Sequence, residues 1–360
     1  MNLLLIEDED DFIQKVRGAA KNTDIAITTA TDAKLNESVQ EAGGPAENQL
    51  RDALKKIDEA NSIDLVLLDT DLSRMKGSAF SQSAFREALQ ELGIPVARYS
   101  KAGTETQIRR LLALRRLANE GASAVWVATP KLAPEHLVDE LIPWLRAVHA
   151  GFAVLGRTLI EKKLDPKIGP AAMLATALNQ PELQQDLLGY TTQNFFFFAP
   201  EAPQASDDAK HQARRWSTRL GYWLFNYVLA FPGPILNRPA AAAYLNLTLG
   251  AFDHAAVQAL IAPALYKGPF NEVEQRYWRS TLASLLDSLS GDIATDATLA
   301  NVELKRVDPD PRGLAYVCLL TEEPITAGEA ASPLDWIPSG AQLARIRQDK
   351  LDELGPMLSM

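Results

Sequence analysis

The stretch Asp64–Gly77, DLVLLDTDLSRMKG, decides how the first half of the chain is read. Its apolar run Leu65–Leu68 stops at Asp69, which predicts a buried strand with a carboxylate at its carboxyl end. Working outward, Asn2–Ile6, Asp24–Ala30, Ile94–Ser100 and Ala124–Ala128 are short and apolar, rich in leucine or β-branched residues. Charged segments with helical spacing, such as Glu47–Glu59 and Ser81–Leu92, separate them. Strands alternating with helices predict a five-stranded parallel sheet covered on both faces. An open sheet of this kind gathers its site at the carboxyl ends of the strands. His136–His149 is expected as the last helix of this unit, leading into a second domain.

At those strand ends the sequence places acids. Glu7 and Asp8 follow the first strand, Asp69 ends the third, and Ser100 ends the fourth. Clustered carboxylates repel one another, and a hard divalent cation such as Mg²⁺ relieves the repulsion. An aspartate beside that ion can attack a phosphoryl group, because the metal offsets charge on the phosphate oxygens. The hydroxyl of Ser100 can then donate a hydrogen bond to the phosphoryl group. Glu9, Asp10 and Asp11 read as first-turn acids favouring a helix start.

The motifs fall in the order of a known family. LLLIEDED looks like a first strand and its acidic pair, and Asp69 is followed by Leu72 and Gly77 at the family's spacing. Gly93–Ser100 (GIPVARYS) resembles the fourth strand with its Ser/Thr, and Gly121–Ala122–Ser123 through Thr129–Pro130 the approach to the end of the fifth. Residues 1–150 therefore resemble a response-regulator receiver domain, which implies a flavodoxin-like α/β fold. The resemblance implies that Asp69 is the phospho-acceptor and that Glu7, Asp8, Asp69 and the backbone carbonyl of Asp71 hold Mg²⁺. It also implies that Ser100 senses the phosphate, and that the partners are a histidine kinase or phosphotransfer protein and a downstream protein. The pattern departs from the family in several places. Ser73 stands in place of a proline, and Thr129 precedes Pro130 where a lysine is usual. Lys101 and Lys131 are near in sequence, but neither occupies that position. Trp126 is the nearest candidate for the displaced aromatic, and Ala33–Ala60 is longer than the matching segment.

Residues 151–360 are expected to form a mostly helical output or interaction domain. Helical patterns cover Ala171–Leu188, Asp207–Phe231, Arg238–Leu249, Ala255–Leu265 and Asn271–Leu289, with a final helix at Gly340–Leu354. Asn194–Phe198 (NFFFF) and the proline-containing run Ala199–Pro203 read as an apolar anchor and an exposed loop. Asn301–Val307 and Gly313–Leu320, flanking Asp308-Pro309-Asp310-Pro311-Arg312, predict a β-hairpin. Lys210, His211, Arg214, Arg215 and Arg219 could form a phosphate-contacting face or a solvated one paired with Glu201, Asp207 and Asp208. Helices split at Gly250–Asp253 suggest a helix-turn-helix, yet Ala255–Leu265 carries almost nothing that reads bases, so core packing explains it better. Tyr266–Trp278 reads as core or partner contact.

Bulk properties narrow the function. The net charge is −10, and residues 1–150 hold 18 Lys+Arg against 23 Asp+Glu, so each half carries −5. This disfavours a nucleic-acid footprint. Cys318 is the only cysteine, which excludes an intramolecular disulfide. His136, His149, His211 and His254 show no metal-ligand spacing, and no phosphate-binding glycine loop appears. Leu220–Leu236 is uncharged but short and broken by Pro232-Gly233-Pro234, so no membrane span is expected. The start lacks a signal-peptide pattern, which predicts a cytoplasmic chain. These readings lead to a two-component signalling protein with no enzymatic activity beyond phosphorylation and dephosphorylation of its own receiver. The alternatives are a phosphorylation-independent pseudo-receiver acting as a protein–protein interaction module, and a DNA-binding regulator.

Overall fold

Five strands form one parallel sheet: β1 (Asn2–Ile6), β2 (Ala26–Thr29), β3 (Leu65–Asp69), β4 (Val96–Tyr99) and β5 (Val125–Trp126). Their order, β2-β1-β3-β4-β5, is the flavodoxin-like doubly wound order. The computed structural model describes residues 1–42, 46–72, 81–101, 106–120, 123–190 and 209–358. Ser73, Gly77, Gly121–Ala122, the NFFFF run with its proline loop, and Glu201, Asp207 and Asp208 lie outside the described residues.

Alternation along the strands explains why they are buried on both sides. Leu4, Ile6, Val66, Leu68 and Val96 join one apolar cluster with residues of α2 (Leu35–Ala42), α3 (Ala46–Asn61) and α4 (Gln82–Leu92). The opposite set, Leu3, Leu5, Leu65 and Leu67, is equally inaccessible, as expected of a parallel sheet. The long Ala33–Ala60 segment is thus two helices, with Leu35, Val39, Leu50, Leu54 and Ile57 in that cluster. Ser81 caps α4 by accepting the Ala84 N–H at 3.2 Å.

The chain folds as two compact units that interleave in sequence. The first is drawn from Met1–Thr104, Gly121–Met173 and Phe197–Trp223, the second from Glu105–Glu120, Leu174–Phe196 and Leu224–Met360. The crossover helix between β4 and β5, α5 (Gln107–Glu120), therefore belongs to the second unit. There its Leu111 packs with Cys318, Leu320, Ile325, Ile346 and Leu354, and Arg110 donates to the Leu319 carbonyl at 2.9 Å and pairs with Glu322.

In exchange, the first unit gains a late helix. The expected last helix begins as a π-helical turn at Leu137–Leu141 and runs on as α6 (Ile142–Glu161). Against it packs α9 (Ala209–Trp223), which also fastens the start of β4. Arg214 forks onto Asp58 at 2.5 and 3.1 Å and donates to the Ile63 carbonyl at 2.5 Å. The Thr218 hydroxyl donates to the Gly93 carbonyl, and the Val96 N–H donates to the Tyr222 hydroxyl, both at 2.8 Å. Gly93 ends α4 with φ 66°, and a Cβ there would lie 2.7 Å from the Arg215 backbone nitrogen, so only glycine fits. The basic face read from the sequence is thus partly structural, because Arg214 holds Asp58.

Beyond α6 the chain departs from the sequence expectations at several places, some of them where Pro or a left-handed residue breaks a helical pattern. Ala171–Leu188 divides into α7 (Pro170–Ala177) and α8 (Gln184–Leu188), with Asn179 at φ 58° and Pro181 between them. The helix expected over Asp207–Phe231 is divided between the units, as α9 in the first and a π-helical turn, Leu224–Val228, in the second. After Pro232–Pro234 follows β6 (Ile235–Asn237), which pairs antiparallel with β7 (Arg276–Trp278). Asn271–Leu289 is therefore β7 and α13 (Arg279–Ser288), not one helix, with Phe270 at φ 66° just ahead of it. The expected turn at Gly250 is itself helical: α10 (Arg238–Tyr244), α11 (Leu249–Phe252) and α12 (Ala255–Ile261) share one core with Tyr277.

The hairpin also moves. β8 (Ala315–Cys318) pairs antiparallel with β9 (Pro324–Thr326) and parallel with β10 (Ala344–Arg345). Asn301–Val307 contributes only an isolated bridge, Arg306 with Leu247, and the Asp-Pro loop is instead captured by the Asn246 amide. The final helix starts later than expected, as α14 (Gln348–Leu358).

Replacing Tyr222 with Phe leaves the Val96 N–H without its acceptor in a buried setting. We expect a loss of about 1–3 kcal/mol in urea unfolding. A variant as stable as wild type would show that α9 does not fasten the sheet through this bond.

Candidate functional site

Sheet register assembles the site. Asp69 is the last residue of β3 and lies beside Tyr99 of β4, while Leu68 pairs with Ile6, so Glu7 follows on at the level of Asp69. Both carboxylates are inaccessible, with side-chain exposures of 0% for Glu7 and 4% for Asp69. Charges so placed need partners.

The partner is Lys101. Its ammonium lies 2.7 Å from Glu7 Oε2, 2.8 Å from Glu9 Oε2 and 3.3 Å from Asp69 Oδ2, and stands 4.9 Å over the Phe12 ring. Tyr99 donates its hydroxyl to Glu7 Oε2 at 2.5 Å, and its ring packs 5.3 Å from that of Phe12. Glu7 Oε1 accepts the N–H groups of Asp8 and Glu9, each at 2.9 Å, and Asp69 Oδ1 accepts the Asp71 N–H at 3.0 Å. All four oxygens of Glu7 and Asp69 thus have donors within the protein.

Electrostatics follow from this packing. Burial holds the Asp69 carboxyl above its ordinary value and the charge of Glu7 adds to the rise, while the Asp71 N–H and Lys101 oppose it. Burial works against the Lys101 ammonium, but hydrogen bonds to Glu7 and Glu9 and the charges of Glu7 and Asp69 carry it above the ordinary value. The two directions are compatible because Asp69 is the farthest of the three carboxylates sharing one cation. Burial and the neighbouring Glu7 push the Tyr99 phenol far up, so it acts as a donor only.

The expected site residues fall as follows. Glu7 and Asp69 come together. Asp8 and Asp71 flank them, and their backbone N–H groups donate to Glu7 Oε1 and Asp69 Oδ1. Ser100 follows β4, between Tyr99, which donates to Glu7, and Lys101, which contacts Glu7 and Asp69. Glu9 does more than start a helix, since it shares Lys101, whereas Asp10 and Asp11 lie in the first turn of α1 (Asp10–Ala20) as expected. Thr129 sits in a short 3₁₀ turn, and Lys131 pairs with Glu140 at 3.2 Å. A cation bonded to Asp69 therefore comes from the end of β4. Trp126 on β5 is stacked by the Arg98 guanidinium at 5.0 Å.

Mg²⁺ does not fit this arrangement. The carboxylate oxygens of Glu7 and Asp69, which the expected ligand set shares with Asp8 and the Asp71 carbonyl, already accept N–H or O–H groups, those of the Lys101 ammonium among them. Among the described residues no group of three or more acidic, His or Cys side chains is placed to hold a metal ion.

No known family model matches this chain, and no curated protein does. No helix among the described residues is long and apolar enough to cross a membrane.

Two outcomes test the electrostatics. A raised carboxyl means that Asp69 stabilises the fold most below its ordinary value of 3.8 and loses that contribution as pH rises through the raised value. Asp69→Asn should therefore unfold at higher urea than wild type at neutral pH, with the gap closing as the solution is acidified. A gap independent of pH would contradict burial of the charge as its cause. Lys101→Met leaves the inaccessible Glu7 without its cation. The expected loss is about 1–3 kcal/mol, below that of a fully buried pair because Lys101 keeps 29% exposure.

Proposed function

We propose that this is a signalling protein of the response-regulator type whose receiver-like unit acts as a phosphorylation-independent interaction module. The observation that carries the reading is the engagement of every Glu7 and Asp69 oxygen by protein donors, with Asp69 almost without solvent access. A nucleophilic aspartate must present an oxygen to its phosphodonor, and here both are committed. Lys101 stands six positions before Gln107, the first residue of α5, and α5 packs in the second unit. The state of the carboxylate–lysine cluster would reach the second unit, or a downstream protein partner, along that connection.

One observation favours the phospho-acceptor reading. The Lys101–Asp69 contact, at 3.3 Å, is the longest of the three that Lys101 makes. A phosphoryl group on Asp69 would bring about −1.5 to −2 of charge and draw the ammonium from Glu7 and Glu9 toward itself. In that reading Lys101 supplies from β4 the cation the family usually places after β5.

Intact-protein mass after incubation with a small phosphoryl donor, with Asp69→Asn alongside, separates the two. No addition is expected, while Lys101→Gln should speed amide exchange in Gln107–Glu120. A single phosphate addition absent from Asp69→Asn would replace the first reading with the second.

A further inference from the structure

We infer that Lys101 is the resident cation of the strand-end cluster and keeps divalent ions out of it. This rests on the reading that the cluster is the functional site, but not on whether Asp69 is phosphorylated.

The first ground is position. The Lys101 ammonium bridges Glu7 Oε2 and Asp69 Oδ2, at 2.7 and 3.3 Å, and so stands where an ion shared by those two oxygens would stand. A dication brought there meets a like charge held on a third side by Glu9 at 2.8 Å. The second ground is the chemistry of the walls. Below the ammonium lies the face of Phe12, 4.9 Å away and packed against Tyr99. An aromatic face attracts an organic cation. It supplies nothing to Mg²⁺, which demands a near-octahedral shell of oxygens. The third ground is the competition for Glu7, whose two oxygens also take the Tyr99 hydroxyl and the Asp8 and Glu9 N–H groups. The box formed by Phe12, Tyr99 and three carboxylates suits an ammonium and not a hard dication.

Removing the ammonium inverts this preference. Glu7, Glu9 and Asp69 would then face one another with no cation among them, and their repulsion would favour any divalent ion able to enter. The site that excludes metal in the wild type becomes one that takes it up.

Mn²⁺ binding, followed by the relaxation of water protons with no phosphodonor present, tests this directly. Wild type should show no saturable site that depends on Asp69. Lys101→Ala should acquire one site, lost again in the double variant Lys101→Ala/Asp69→Asn, while Lys101→Arg should remain without it. Far-UV circular dichroism establishes that each variant is folded, and Lys101→Gln replaces Lys101→Ala if the latter is not. A wild-type site abolished by Asp69→Asn would overturn the inference, as would a folded Lys101→Ala or Lys101→Gln protein that gains no site. Because no phosphoryl group is present, failure in this test leaves the phosphorylation question to its own experiment.

Discussion

An ammonium group held between Glu7, Glu9 and Asp69 balances the charge at the carboxyl ends of β1 and β3. Parallel strands deliver their ends to one level, so acids placed there by sequence are forced together by register. Burying them without a cation would cost several kcal/mol per charge. Much of the local structure serves this one constraint. Tyr99 turns its hydroxyl inward to Glu7, Phe12 offers a ring face to the lysine, and the backbone after β1 curls so that two N–H groups meet Glu7 Oε1.

The same cluster sits at the start of the connection from β4 to α5. In an ordinary doubly wound sheet the crossover helix packs back on its own sheet. Here α5 contributes Leu111 to a core built from β8, β9 and residues in and near α14. A change in how Lys101 is held therefore has a short covalent route into the second unit, and the proposed signalling role depends on that route.

Much of the first unit is legible in the sequence because its strands are short runs buried on both faces, bounded by charge. All five strands fall within the segments expected, and Asp69 and Glu7 meet as their positions at the strand ends imply. The lysine is harder to read, because the family pattern places it after β5. Nothing in a one-dimensional pattern shows that a side chain one position past Ser100 can reach back across β4 to Asp69. In the second unit, helical periodicity overreaches. Asn179 adopts left-handed backbone and Pro181 follows it, signals that the apolar spacing of Ala171–Leu188 overrides, whereas Phe270, just before the expected Asn271–Leu289, is left-handed with no side-chain type to announce it. The Asp-Pro loop looks like a hairpin tip, but the Asn246 side chain bonds it at Asp308 and Asp310 and pulls it out of the ladder.

The interleaving of the two units bears on how the chain is made. α9, with Arg214, Thr218 and Tyr222 fastening the segment from Asp58 to Val96, lies more than a hundred residues downstream of β4. During synthesis the sheet emerges early, but the helix that seals its α4–β4 corner is still unmade. The crossover helix α5 emerges early too, and its apolar side waits for β8, β9 and α14 near the end of the chain. Each unit thus holds an unfinished surface until the other's sequence has been read out. A break in the chain near residue 150 would leave one fragment without α9 and the other without α5.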